Sequence, residues 1–395
     1  MKKFIASFFV CAVLCRVSFA ENNPAVTALT AQTGQSAPAM MPAAQQQVTV
    51  PMTAAPQQLP SPLIVSGYVR LRALVIEKDV DTFRFDECSL VFKKDISEKA
   101  QTVVGALLYG GNTFFLEHAY LDLKDMPLSG ILRIGATRNN CFGLVPVYPN
   151  RKTTNYGMVS DAFTHDRILG VQYLAKVKPF DINVGIHNGY DIGTRTVGEG
   201  VKKVTILADR DKSFTAATRN DTDKSKECSA RIAFAPDRSV NVGVSGTIGR
   251  LSLADLTTLN PLLGTAYTDR RKMRAGVDCT VTKLDPVIFQ GECYEGWTSE
   301  LQHMAYQGMA GYLFKKDGKP WIDIYARYGE LNPDIAPKAG LQATWKLAQT
   351  VLSCVYRFTP GAQLQLELEK NDQKNRSTAA RVYDNDAILE LTFFY

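Results

Sequence analysis

The chain has 395 residues, 45% of them apolar, and 45 basic against 39 acidic side chains give a formal net charge of +6. So mild a balance argues against nucleic-acid binding, which calls for a concentrated basic face. No apolar run approaches the ~20 residues of a membrane-spanning helix.

Lys2 and Lys3, the apolar run Phe4 to Leu14 and the small residues Ser18 and Ala20 read as a secretory signal peptide cut after Ala20. Its removal takes Lys2, Lys3 and Arg16 and no acid, so +6 becomes +3. Residues 21–62 are rich in Ala, Pro, Gln and Thr with Glu21 as the sole charge. Such a segment cannot bury enough apolar surface to fold alone, and is expected to be a flexible periplasmic leader.

From residue 63 to 395 the texture changes to runs of about ten residues with alternating character, broken by Gly, Pro, Asp and Asn clusters. About sixteen strands are expected, the first over 64–76 and the last over 386–395, with eighteen as the alternative if Val201 to Ala208 and Leu341 to Leu347 add strands. The connections alternate: short turns such as Lys316-Asp317-Gly318-Lys319 fall on one side, while 138–166, 190–227, 250–269, 330–348 and 371–385 fall on the other. An all-β chain with this parity reads as an antiparallel β-barrel of the bacterial outer membrane. Leu389, Leu391, Phe393 and Tyr395 against Glu390 and Thr392 show the alternation of lipid-facing and inward side chains.

The same alternation sends Arg70, Arg72, Arg84, Arg133, Lys176, Arg231, Lys272, Arg274, Arg327 and Arg357 inward, with Asp86, Asp122, Asp278, Glu292, Asp323, Glu367 and Glu390. A sixteen-stranded barrel is too wide for side chains to fill, so this wall is expected to line an aqueous pore with a modest basic surplus that favours anions. The 138–166 connection, the third on its side, carries Arg138, Arg151, Lys152, Asp161 and Asp166 and is expected to narrow the pore.

Gly135, Phe142-Gly143-Leu144, Phe163, Asp166-Arg167 and Gly170-Val171 resemble the pattern around the third loop of the phosphate-selective porin O and P family. The resemblance implies a trimeric barrel whose third loop folds inward and whose basic residues lead anions through. No dense Arg or Lys ladder accompanies it, which leaves general diffusion of small hydrophilic solutes beside phosphate selectivity.

Six cysteines remain after cleavage, an even number in an oxidising compartment. Cys141 and Cys228 both map to the external end and are the favoured disulfide. Bridges between chains would instead make a structural or adhesive barrel cross-linked through cysteines. His118, His165, His187 and His303 lack metal-ligand spacing, and neither a nucleotide-binding loop nor a Gly-x-Ser-x-Gly elbow occurs. Neither a cofactor nor an enzymatic role is expected; outer-membrane lipid and small solutes or anions are the expected partners.

Overall fold

The computed structural model describes residues 61–395 apart from 77–81, 111–112, 145–151, 165–166, 198–203, 212–225, 238, 376–377 and 379. The signal peptide and the leader up to residue 60 lie outside the described residues, as do Arg151, His165 and Asp166.

Seven antiparallel strands come first: β1 (Ile64–Ile76), β2 (Thr82–Ser97), β3 (Ala100–Tyr109), β4 (Thr113–Met126), β5 (Gly130–Arg138), β6 (Arg167–Val177) and β7 (Phe180–His187). A hairpin, β8 (Tyr190–Val197) and β9 (Val204–Asp211), interrupts them. The wall resumes with β10 (Glu227–Asp237) and β11 (Val240–Arg250), and a helix α1 (Leu253–Leu263) precedes β12 (Arg271–Val281). Then come β13 (Val287–Thr298), β14 (Leu301–Lys316), β15 (Lys319–Asp334), β16 (Lys346–Thr359), β17 (Ala362–Lys374) and β18 (Arg381–Phe394).

Sixteen of these strands close into one barrel, β7 pairing directly with β10 and β1 with β18. Closure leaves the wall without a free sheet edge, the condition for strands to survive in hydrocarbon. At the seam the last residue joins in: Tyr395 and Gly67 exchange backbone hydrogen bonds of 3.1 and 3.2 Å. The short connections form where the sequence supplies turn chemistry. Asp317 and Gly318 both take positive φ, 54° and 75°, which is the two-residue turn that matches strand twist.

Period-two alternation decides which face each residue takes. Leu352, Leu366, Leu368 and Leu389 are exposed on the outer surface, while Ser353, Glu367 and Glu390 between them are buried. Aromatic rings gather on the outer surface at the short-turn end, where Tyr356 sits edge-on to Trp321 at 5.9 Å and to Phe358 at 4.8 Å. Such a girdle is the usual companion of a membrane interface.

The structure departs from the sequence reading in three places. Val204–Asp211 is a strand but joins no wall, because its partner is β8. The 250–269 connection contains α1, capped by Ser252 and Asp255 acting on each other's amides and ended by Gly264 at φ 61°. The 371–385 connection shrinks to 375–380, since β17 and β18 stay paired from Lys374 and Arg381 down to the turn.

Candidate functional site: the segment inside the barrel

Chain leaving β5 turns inward and runs along the inner wall. Asn139 donates to Ser229 Oγ at 3.0 Å, Gly143 N–H to Ser245 Oγ at 3.0 Å and Leu144 N–H to Glu292 Oε2 at 2.9 Å. Phe142 stacks against Tyr294 at 4.7 Å. Six residues of chain, 139–144, thus cross from β10 to β13 on hydrogen bonds to the wall's polar side chains, which a segment inside a barrel needs in place of water.

Residues 152–157 then cross the opposite wall. Thr154 gives both its amide and its hydroxyl to Glu367, at 2.8 and 2.5 Å, and its carbonyl accepts from Arg72 Nη2 at 3.3 Å. Arg327 donates to Thr153 Oγ1 at 2.5 Å, to the Asn155 carbonyl at 3.1 Å and to Gln349 at 2.9 Å, while the Asn155 side chain bridges Glu369 and Arg327. Gly157 sits at φ 87°, a left-handed conformation that favours glycine, and a Cβ there would press on the ends of the Gln307 and Arg327 side chains. A cavity of about 20 Å³, room for about one water, remains between Lys152, Tyr156, Gln307 and Arg327.

The segment ends in a wide turn, Ser160–Thr164, whose five residues are all buried. Met158, Val159, Ala162 and Phe163 form a hydrophobic cluster with Tyr294, Ala305, Leu331 and Leu347 of the wall. Arg274 lies over the Phe163 ring at 5.1 Å and donates to its carbonyl at 3.4 Å. Both apolar packing and charge therefore hold the segment inside.

Nine of the ten basic wall residues meet carboxylates or the segment at close range. Arg70 reaches Asp86 at 2.5 Å and Glu87 at 2.8 Å, Arg72 reaches Glu390 at 2.9 Å, Arg133 reaches Asp122 at 2.8 Å and Arg357 reaches Asp323 at 2.5 Å. Arg231 pairs with Asp278 and Lys272 with Glu227; Arg327 holds the segment. Arg84 lies 3.4 Å from Asp86, and Lys176 stands opposite Asp181 near the short-turn mouth. Arg138 contacts Glu117 at 3.6 Å and Tyr156 at 3.5 Å, and Asp161 is buried within the wide turn.

The expected basic surplus is not what the wall shows, because buried Glu87, Glu227, Glu369 and Asp386 and largely buried Glu117 add to the acids. Two of these escape a strict period of two. A bulge at Asp86 lets Asp86 and Glu87 both face Arg70, and another between Gly105 and Ala106 turns Glu117 inward beside His118. Burial pushes the Lys152 amine below the ordinary lysine range, Asp323 opposing the shift and Arg357 adding to it.

The Cys141–Cys228 disulfide does not form, because the two thiols lie on opposite faces of the wall. Cys141 lies inside, its thiol 3.7 Å from Gln172 Oε1. Cys228 stands between Ile186 and Ile248, both exposed on the outer surface, so the wall separates the two sulfurs.

His187 and Ser229 are 3.0 Å apart, but they make no nucleophile and base. The Gly189 amide donates to His187 Nδ1 at 3.1 Å. The ring proton is therefore on Nε2, which donates to the serine instead of accepting from it.

No family model and no curated protein matches the chain. Solved structures do. The outer membrane channel DcaP of Acinetobacter baumannii superposes with TM-score 0.60 at 15% identity, over 84% of this chain and 97% of that one. The anion-selective porin from Comamonas acidovorans gives 0.57 at 10% identity, over 85% and 99%. OmpT, an outer membrane protein of Vibrio cholerae in its trimer form, gives 0.52 at 14%, over 85% and 99%. At these identities the likeness speaks for architecture alone: the chain's closed sixteen-stranded barrel shares its fold with these outer-membrane proteins.

Proposed function

We propose that this protein is an outer-membrane porin through which small hydrophilic solutes diffuse passively, its path narrowed by residues 139–144 and 152–164. The observation that carries the reading is that segment's course along the inner wall, anchored at Glu292, Glu367 and Arg327. Secretion by the signal ending at Ala20 and a leader up to residue 62 would precede the barrel. The ten basic wall residues and the segment's Arg138, Arg151, Lys152, Asp161 and Asp166 set the field that permeating ions meet. Because most wall bases face carboxylates, anion preference is mild and arises at Arg327, Arg274 and Lys152 around the segment. Phosphate-type anions pass as part of that class, and the protein assembles as a trimer. The anion-selective porin and the trimeric OmpT among the similar structures support both readings.

Purified, refolded protein in a planar bilayer under a KCl gradient tests this. Stepwise openings with a small chloride-biased potential are expected; a heat-modifiable barrel that never conducts would refute it.

A second reading, a barrel cross-linked into the envelope, is favoured by the outward position of Cys279, Cys293 and Cys354. Their partners across the sheet include exposed Val242, Val277 and Ile324. Disulfide-linked oligomers from intact envelopes on non-reducing gels would support it.

A further inference from the structure

We propose that the β8–β9 hairpin is a second inward-folded element that fixes the size of solute admitted, latched by Asp255 and Lys272. The inference rests on the channel reading above and deepens it. Because β7 pairs directly with β10 from Phe180↔Phe234 to His187↔Glu227, the hairpin contributes nothing to the wall. An isolated two-stranded hairpin is marginal in water, yet this one is buried on both faces.

Consecutive residues show it. Ile206 belongs to the cluster of Met158, Val159 and Phe163 in the inner segment, whereas Leu207 belongs to the cluster of Leu256, Leu259 and Leu263 in α1. Neighbours in a strand point to opposite faces. The hairpin is therefore the middle layer of three, with the inner segment on one side and the helix on the other.

Two buried charges hold it there. Asp255 accepts from Ser252 N–H at 2.8 Å through one oxygen, capping α1, and from Ile192 N–H at 3.0 Å through the other. Lys272 donates to the Tyr190 carbonyl at 2.9 Å, and its partner Glu227 accepts from Tyr190 N–H at 3.1 Å. A carboxylate that serves both the helix cap and the hairpin ties the movement of one to the other.

Full-length protein with residues 191–210 replaced by a short Gly-Ser linker tests this, beside Asp255→Ala, which keeps the hairpin and removes one of its two latches. Single-channel conductance and swelling of proteoliposomes in sugars of increasing size are measured on each, after heat-modifiability confirms a folded barrel. Excision is expected to raise conductance and admit sugars the unaltered protein excludes, and Asp255→Ala to give intermittent openings of the larger size. An unaltered protein that is silent while the excised one conducts overturns the proposal, because the hairpin would then close the barrel rather than set a size limit. A conducting protein whose folded excision variant keeps the same conductance and cut-off overturns the hairpin's role alone; silence from both overturns the channel reading with it. Should the excision variant not refold, an Asp255→Ala record indistinguishable from the unaltered one overturns the proposal.

Discussion

Thr154 gives two hydrogen bonds to one carboxylate, that of Glu367, and Glu367 stands on the wall 213 residues away in sequence. Bonds to an ionised group are worth about 1.5–3 kcal/mol each. Glu367→Ala is therefore expected to weaken docking of the segment by about 3 kcal/mol or more while leaving the barrel folded. Open-channel current noise should rise well above that of the unaltered protein, with Glu367→Gln between the two. Identical noise in all three would show that the contact does not hold the segment.

Any side chain at Gly157 would strain the backbone, since its φ is 87°, and would push aside the ends of Gln307 and Arg327. Gly157→Val is expected to displace the segment, at a local cost of about 1–3 kcal/mol. Conductance should change while the barrel's thermal unfolding does not, and melting followed by circular dichroism beside a bilayer recording checks both.

Lys152 and Arg327 flank the same small cavity. Arg327→Glu reverses a charge there and should move the zero-current potential toward cations. Lys152 is held below the ordinary lysine range by burial, so its positive charge is lost as pH rises before that of a free lysine, at about 10.4. Anion preference should accordingly fall with rising pH at a point below that value, and Lys152→Met should remove this step from the pH profile.

Burial pushes the Cys141 thiol up to about 12. At pH 8 the folded protein should leave it unmodified by a water-soluble maleimide, and unfolding should expose it, as mass spectrometry of the peptides would show. Rapid labelling of Cys141 in the folded barrel would mean that the segment opens freely.

The wall was legible because lipid on one side and polar partners on the other impose a period of two, and Leu364, Leu366 and Leu368 repeat it without interruption. What broke that period escaped. Glu87 and Glu117 turn inward only through bulges, which no pattern of polarity announces. The helix α1 left a readable trace in Ser252, Asp255 and Gly264 around leucines at 256, 259 and 263, but it is short and surrounded by turn residues. Only the hairpin's second strand could be seen, as Val201 to Ala208, and it could not be placed, since its partners are the segment and α1, which are distant in sequence. The third connection was recognisable by its length and its count along the barrel; its anchors at Glu292 and Glu367 depend on register over hundreds of residues.

The most direct test of a pore narrowed by the inner segment compares solute uptake by liposomes carrying the unaltered protein or one with residues 152–157 replaced by a Gly-Ser linker. Uptake of small sugars by the first and of larger sugars only by the second is the expected result. Equal size limits for both, or no uptake by either folded barrel, would contradict it.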